Sequence, residues 1–228
     1  MLDSLLHDKR GIEPTPAPQN ADRERERAAR RSTNRYIMTN MKRATMCSDR
    51  EEVLDLALRR IPIHGMVCEF GVFEGQTINY IAAQVPDRAV FGFDSFEGLP
   101  EDWRGPFQRG VFSTGGHLPK VPANVRLIKG LFDATLPKFA VEYAGPAALF
   151  HIDCDLYSST KCIFANLGGR VVPGSVIVFD EYFDYPGWEE HEFRAFAELV
   201  SEAGLSYAYL AYNRLHEQVA VQITARRG

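Results

Sequence analysis

The chain has 228 residues, of which 45% are hydrophobic and 11% aromatic, so it can form one large domain or a domain with an appended arm. Its formal net charge of -4 argues against a general nucleic-acid binder, which would present a basic face. Because no apolar run is long enough for a membrane span and no signal-peptide segment is visible, we expect a cytoplasmic protein. The four cysteines form no CxxC pair and are expected to be reduced thiols.

The N-terminal segment differs in composition from the rest of the chain. A proline-rich stretch, GIEPTPAPQN (11–20), precedes a mixed charge run, ADRERERAARRSTNR (21–35), which is typical of a solvated arm or a short exposed helix. The functional alternative is a lid or dimer arm that orders over a site. We therefore assign residues 1–47 to an N-terminal arm and residues 48–228 to one domain, compatible with a homodimer or a higher homo-oligomer.

From residue 48 the apolar pattern becomes regular. Ser48-Asp49-Arg50-Glu51 predicts a capping box at the start of a helix. Buried strands are then predicted in MVCEF (66–70), RAVFGFD (88–94), NVRLIKG (124–130), PAALFHID (146–153) and GSVIVFDE (174–181). Helices are predicted near 75–84, 158–168 and 187–203, and LSYAYLAYN (205–213) and HEQVAVQIT (216–224) alternate as a hairpin does. This order predicts an α/β fold with a doubly wound, mostly parallel sheet and an antiparallel C-terminal hairpin.

Every one of the five predicted parallel strands ends in acidic residues. They are Glu69 and Glu74, then Asp94, then Asp133, then Asp153 and Asp155, and last Asp180 and Glu181. Ligands of open α/β sheets bind beyond the carboxyl ends of the strands. Because a buried carboxylate is costly unless it is paired, hydrogen-bonded or bound to metal, we interpret these acids as a ligand site. The alternative is a set of helix caps and loop ion pairs, in which Asp155 would help to start the following helix.

The first glycine turn indicates which nucleotide is bound. The spacing of Gly71 and Gly75 does not match GxGxxG, and the neighbouring Glu69 and Glu74 would repel a diphosphate. They suit S-adenosylmethionine, which carries an ammonium and a sulfonium and no phosphate. Asp94, at the end of the next strand, is suitably placed to accept hydrogen bonds from ribose hydroxyls.

Five segments carry a family resemblance. CEFGVFEGQT, FDSFEGLP, GLFDATLP, HIDCDLYSST and FDEYFDYPGW, in this order, resemble the macrocin and novobiocin-sugar O-methyltransferase family over roughly residues 66–200. These are class I S-adenosylmethionine-dependent enzymes. The resemblance implies a Rossmann-like, seven-stranded sheet, a small-molecule hydroxyl acceptor such as a sugar of a natural product, and a divalent ion, usually Mg²⁺.

The resemblance also implies site residues. The metal-binding acids match Asp153, Asp180 and Glu181, although members with metal tend to have two aspartates at the last two positions. The general base matches Asp155, and we keep His191 as a second-rank base because it falls early in a predicted helix. The expected cofactor-binding residues are Glu69, Gly71, Phe73, Glu74, Gly75, Thr77, Asp94, Ser95, Phe132, Asp133 and Asp153.

The chemistry is consistent with these roles. Methyl transfer is an in-line displacement, so the enzyme mainly positions donor and acceptor, while a base or a Lewis-acidic ion activates the hydroxyl. Metal-independent transfer to O, N or C is the nearest alternative. A metal-dependent glycosyltransferase would leave Glu69 and Asp94 without a role, and a haloacid-dehalogenase-like phosphatase carries Asp-x-Asp on its first strand. A non-catalytic S-adenosylmethionine-binding protein is the third alternative.

The stretch 95–123 is long for a connection inside a compact domain. It contains Trp103, Phe107 and Phe112 together with a pair of glycines. Because loops of this size are often functional, we predict that it closes part of the pocket.

Overall fold

The computed structural model describes residues 20–215 and 217–227. Its strands are β1 (Thr45–Cys47), β2 (Met66–Phe70), β3 (Val90–Asp94), β4 (Val125–Lys129), β5 (Ala147–Ile152), β6 (Val176–Phe179), β7 (Leu205–Asn213) and β8 (Val219–Arg226). Its α-helices are α1 (Asn20–Asn40), α2 (Arg50–Arg59), α3 (Gln76–Gln84), α4 (Phe132–Glu142), α5 (Tyr157–Leu167) and α6 (Glu192–Glu202). Two short 3₁₀ helices span Gly168–Arg170 and Trp188–Glu190. Most of the proline-rich stretch and His216 lie outside the described residues.

The strands form one sheet in the order β1-β7-β8-β6-β5-β2-β3-β4. All neighbouring strands are parallel except for the pairs β6–β8 and β7–β8, which are antiparallel. The predicted doubly wound, mostly parallel sheet with a C-terminal hairpin is confirmed. The chain moves outward from β2 to β4 on one side and from β5 to β6 on the other, so the strand order reverses between β2 and β5. Ligands of such sheets bind at this reversal.

An eighth, three-residue strand extends the seven-stranded sheet that the resemblance implies. Thr45–Cys47 pairs in parallel with Ala211–Asn213 at the sheet edge. The sheet therefore begins inside the segment that the sequence assigned to the arm. Three residues are too few to show the alternation by which a strand is recognised, which is why the pattern did not predict β1.

The core has one layer on each face of the sheet because successive side chains of a strand point to opposite faces. Phe70 and Phe150 belong to the layer that contains the apolar residues of α4, α5 and α6. Val67 and Leu149 belong to the layer that contains those of α2 and α3. Among the described residues, no helix combines the length and the apolar character needed to cross a membrane.

Helix α2 begins one residue later than the predicted capping box. Asp49 is the N-cap, and its side chain accepts a hydrogen bond of 2.8 Å from the Glu52 backbone N–H. The Glu52 carboxylate in turn accepts one of 2.8 Å from the backbone N–H of Ser48. Arg50 is the first residue of α2, and it lies close to the carboxyl ends of the strands because its guanidinium contacts Asp180.

The N-terminal helix α1 packs on the chain between β6 and α6. The Trp188 indole N–H donates to Ser32 Oγ at 2.9 Å, and the Asp184 backbone N–H donates to Thr33 Oγ1 at 2.9 Å. The hydroxyl of Tyr36 hydrogen-bonds that of Tyr209 on β7. These contacts attach the described part of the arm to the body of the domain.

Candidate active site

A cavity of about 350 Å³ lies beyond the carboxyl ends of β2, β3, β4 and β5. The predicted cofactor-binding residues that line it are Gly71, Phe73, Glu74, Thr77, Asp94, Ser95, Phe132, Asp133 and Asp153. The predicted base, Asp155, also lines it, whereas Glu69, Gly75, Asp180, Glu181 and His191 are not among its lining residues. None of the lining residues comes from 20–47, the described part of the arm.

The loop 95–123 supplies one wall of the cavity. Leu99, Pro100 and Phe112 line it, which agrees with the prediction that this loop closes part of the pocket. The loop is attached to the turn between β7 and β8 because the Arg104 guanidinium donates to both carboxylate oxygens of Glu217, at 3.2 and 2.6 Å.

Gly71 allows the ends of β2 and β5 to meet at the floor of the cavity. Its φ of +96° lies in the left-handed region, and a Cβ atom at this position would come within 1.7 Å of the Asp153 carbonyl oxygen. The Asp153 backbone N–H donates to the Phe70 carbonyl at 2.9 Å. Only glycine satisfies both the torsion and this approach.

Asp94 holds the glycine turn through its carboxylate. One oxygen accepts the backbone N–H groups of Val72 and Phe73, each at 2.8 Å, and the other accepts that of Phe96 at 2.7 Å. A carboxylate has roughly four acceptor positions. These bonds therefore leave room for a further donor from the cavity, such as a hydroxyl of a ligand.

Glu69 lies beneath the cavity rather than in its wall. Its side chain is 1% exposed, and its Oε2 atom is 3.2 Å from His151 Nδ1. Burial raises the pKa of Glu69 to about 7, while the hydrogen bond with His151 opposes this shift. Glu69 therefore contacts the histidine beneath the floor and is not part of the cavity wall.

His151, Asp153 and Asp180 offer ligand atoms that lie within 4.8 Å of one another. Glu181, which the resemblance assigned to the metal, is outside this group. Strand β6 ends at Phe179, so Asp180 and Glu181 lie in the bend that follows it. The Glu181 backbone N–H instead donates to Glu192 Oε2 at 3.3 Å.

Arg50 lies within this acidic group. Its Nη2 atom donates to Asp180 Oδ2, and its Nη1 atom lies 4.0 Å from Asp153 Oδ2. The other oxygen of Asp180 accepts a hydrogen bond of 3.2 Å from Gln218 Nε2. Asp180 is 1% exposed, so its carboxylate is buried and balanced mainly by the guanidinium.

The donor atoms of this group fit a divalent cation in part. Asp153 and Asp180 supply carboxylate oxygens, which Mg²⁺ prefers. Burial lowers the pKa of His151, but the neighbouring carboxylates of Asp180, 3.8 Å from Nε2, and Glu69 outweigh it and raise the value to about 10. Carboxylate oxygens also suit Mg²⁺ better than an imidazole nitrogen does. The two aspartates therefore form the pair that could hold the ion, provided that Arg50 moves away from Asp180.

Asp155 follows β5 in a left-handed backbone conformation, with φ of 66°. Aspartate tolerates this region better than most residues do. Helix α5 begins after Leu156, whose side chain does not cap it. Asp155 is 5% exposed and lines the cavity two residues beyond Asp153.

His191 lies in an aromatic region outside the cavity lining. Its ring centroid is 6.3 Å from that of Trp103 and 5.9 Å from that of Tyr185. Burial and the nearby Arg104 charge lower its pKa, so the imidazole is neutral at physiological pH. Its non-helical φ and ψ also separate the 3₁₀ helix from α6, which divides the helix predicted over 187–203.

Two residues of this region, Arg50 and Glu192, were not predicted from the sequence. Arg50 lies in the first turn of a helix, where a positive charge interacts unfavourably with the helix dipole. This unfavourable position was the signal that Arg50 has a role other than stabilising the helix. Glu192 is fully buried on the same face of α6 as Ala195, Phe196 and Leu199, an acid on an apolar stripe. Burial and the charge of Asp155 raise the pKa of Glu192 well above its ordinary value.

Comparison with known proteins decides the family. Residues 68–182 match the family model described as a methyltransferase domain. The chain belongs to this methyltransferase family. The cavity described above therefore lies where the sheet of this methyltransferase domain reverses its strand order.

Two curated relatives of this methyltransferase come from Streptomyces. The chain is 30% identical over 145 residues to the 8-demethyl-8-(2,3-dimethoxy-alpha-L-rhamnosyl)-tetracenomycin-C 4'-O-methyltransferase of Streptomyces olivaceus, which covers 53% of this chain and 54% of that protein. It is 27% identical over 194 residues to the demethyldecarbamoylnovobiocin O-methyltransferase of Streptomyces niveus, which covers 74% of this chain and 71% of that protein. The chain thus matches about half the length of the first relative.

The fold is similar to that of CalS11, a calicheamicin methyltransferase known from its crystal structure. The TM-score is 0.59 at 22% sequence identity, and the superposition covers 93% of this chain and 96% of that chain. This similarity confirms the class I methyltransferase fold.

Proposed function

We propose that this protein is an S-adenosylmethionine-dependent O-methyltransferase that acts on a hydroxyl of a small molecule, such as a sugar of a natural-product glycoside. The observation that carries the proposal is the cavity with Asp94 on its β3 side and Asp153 and Asp155 on its β5 side. The name of one curated relative supports a glycoside acceptor, since it describes 4'-O-methylation of a rhamnosyl tetracenomycin, and the name of the other describes O-methylation of demethyldecarbamoylnovobiocin.

The donor is proposed to lie across the end of β2. Its ribose would donate a hydroxyl hydrogen bond to Asp94, and its base would lie near Phe132 and Asp133 beyond β4. The methionyl end would then reach Asp153 on the β5 side. A nucleotide diphosphate fits poorly because the cavity is lined by acids with Arg50 as its single cation among the described residues.

Asp155 is proposed as the general base. As the acceptor oxygen attacks the methyl carbon, the carbon–sulfur bond breaks, the new carbon–oxygen bond forms, and the hydroxyl proton passes to the Asp155 carboxylate. The products are a methyl ether and S-adenosylhomocysteine. The position of Asp155 in the wall beside Asp153 supports this role. His191 is a weaker candidate because it is not among the lining residues.

Mg²⁺ is the proposed metal, held by Asp153 and Asp180. When bound, it would supply a Lewis acid that orients the acceptor hydroxyl and favours its deprotonation. A second candidate, metal-independent methyl transfer, is favoured by one observation: Arg50 already neutralises Asp180. In that case Asp155 alone would activate the hydroxyl.

The test is methyl transfer from S-adenosylmethionine to a panel of L-rhamnosyl glycosides, followed by mass spectrometry, with Mg²⁺ or with EDTA. A methylated product, lost when the reactive hydroxyl is replaced by hydrogen, supports the proposal. Failure of the protein to bind S-adenosylmethionine in calorimetry would contradict it. Turnover that is unchanged by EDTA would rule out a role for the metal and favour metal-independent methyl transfer.

A homodimer or a higher homo-oligomer stays a prediction. Its support is that Met38 and Met46, both in the arm segment, are 74% and 65% exposed. Light scattering in solution, which gives the mass of the particle, distinguishes a monomer from these assemblies.

A further inference from the structure

We propose that Arg50 binds the carboxylate of the methionyl group of the donor, and that the protein thereby selects donors that retain this carboxylate. The inference rests on the proposed use of S-adenosylmethionine and identifies which residue recognises one end of it. Arg50 is the only lysine, arginine or histidine among the lining residues in the described part of the chain.

The charge of the cavity requires a specific place for this carboxylate. The acids that line it are Glu74, Asp94, Asp133, Asp153 and Asp155. They suit the ammonium and the sulfonium of the donor but repel a carboxylate wherever it approaches them. Arg50 is the one position in the described wall where a negative group finds a positive partner.

Arg50 also lies at the correct end of the cavity. Its Nη1 atom donates to Thr77 Oγ1 at 3.3 Å and lies 4.0 Å from Asp153 Oδ2. Thr77 stands in the first turn of α3, and Asp153 follows β5, so the guanidinium is on the opposite side of the glycine turn from Asp94. With the ribose at Asp94, the methionyl end of the donor extends toward Arg50.

In the metal-independent candidate, in which Asp180 binds no ion, this residue holds the guanidinium ready for a ligand. It contacts Arg50 Nη2 from beneath the cavity, and Gln218 fixes its other oxygen. An arginine has more N–H donors than the contacts with Asp180 and Thr77 use, and its planar fork matches a carboxylate bidentately. The Arg50 side chain is 21% exposed, so it is held in place yet open to the cavity.

The test is calorimetry with S-adenosylmethionine, S-adenosylhomocysteine and decarboxylated S-adenosylmethionine, which lacks only the carboxylate. We expect the wild type to bind the two carboxylate-bearing compounds on the order of 10- to 100-fold more tightly, as for a charged hydrogen bond. Arg50→Gln should lose this preference and leave the affinity for the decarboxylated compound nearly unchanged. Arg59→Gln is the matched control because Arg59 lies on the same helix, is 66% exposed and does not line the cavity.

The outcomes separate this inference from the proposed function. Equal weakening of all three compounds by Arg50→Gln would overturn the inference, because a merely structural role does not distinguish them. Equal affinity of the wild type for all three would overturn it even if the variant does not fold. Binding of none of them by the wild type would overturn both proposals.

Discussion

Gly71 lies so close to Asp153 that the two residues join the ends of β2 and β5 into one surface. A Cβ atom added at residue 71 would lie only 1.7 Å from the Asp153 carbonyl oxygen. Because Asp153 faces the cavity and Asp94 holds the turn that starts at Gly71, this approach sets the distance between the two sides of the site. The geometry of the cavity thus depends on a backbone contact as much as on side chains.

Gly71→Ala is expected to destabilise the fold and to weaken donor binding. The left-handed torsion costs roughly 1–2 kcal/mol for a non-glycine residue, and the clash adds roughly 1–3 kcal/mol. Gly110→Ala separates the two contributions, since Gly110 has a φ of +85° but no atom within 4 Å of its added Cβ. Urea denaturation measures both free energies of unfolding. Equal losses in the two variants would contradict the importance of the contact.

Asp94→Asn is expected to loosen the glycine turn as well as the donor site. The NH₂ group of asparagine cannot accept a hydrogen bond, whereas its carbonyl oxygen can, so at least one of Val72, Phe73 and Phe96 loses its partner. We expect a loss of about 1–3 kcal/mol in the free energy of unfolding, together with weaker S-adenosylmethionine binding. Glu97→Gln is the control because Glu97 is in the same loop and its side chain is 66% exposed. An unchanged unfolding midpoint for Asp94→Asn would refute this account.

Asp155→Asn should lower kcat by about 10²- to 10⁴-fold, the usual contribution of a general base. Because the side chain has nearly the same shape, the affinity for S-adenosylmethionine should change little. Asp133→Asn, which alters an acid on the other side of the cavity, serves as the comparison. Steady-state kinetics and calorimetry give the two quantities, and near-wild-type turnover of Asp155→Asn would reject it as the base.

Glu198 should make the contact between α5 and α6 sensitive to acid. Its carboxylate accepts from Lys161 Nζ at 2.8 Å and from the Tyr157 hydroxyl at 2.9 Å, and these bonds lower its pKa from 4.5 to about 2. Since the folded value is below the unfolded one, the stabilisation is complete above pH 4.5 and is lost as the pH falls toward 2.

The measurement is the difference in Tm between the wild type and Glu198→Gln as a function of pH. We expect this difference to be largest near neutral pH and to vanish near pH 2. Because the pair is partly solvent-exposed, the difference should be small. Glu202→Gln, which removes a more exposed partner of Lys161, is the matched comparison. A Tm difference that does not change with pH would contradict the role of the Glu198 charge.

The fold could be predicted from the sequence because its strands and helices have recognisable local sequence patterns. Fully buried strands such as Met66–Phe70 appear as short apolar runs, and most of them are followed by a helical pattern. Parallel strands bring their carboxyl ends to one edge, so the convergence of Asp94, Asp133 and Asp153 on one cavity followed from their order alone. The cavity lining agrees with this expectation.

The details of the site could not be predicted because they depend on the orientation of individual side chains, which a sequence pattern does not specify. Asp180 and Glu181 are adjacent in sequence, yet only Asp180 joins the group with Asp153. From the sequence, Glu69 was expected to bind the cofactor as Asp94 does, but its side chain lies beneath the cavity floor and contacts His151. Arg50 reaches the acids only because α2 begins at the carboxyl end of the sheet, which the composition of that helix does not show.

The short strand β1 has a consequence for how the protein would respond to its ligand. Cys47 pairs with Asn213 at the sheet edge, and the chain then turns at Asp49 directly into Arg50. A ligand that holds the guanidinium also restrains the segment that leads to it, so transient opening of this edge should become rarer on binding. Slower amide hydrogen exchange at residues 45–47 would then report occupancy of a cavity that these residues do not touch.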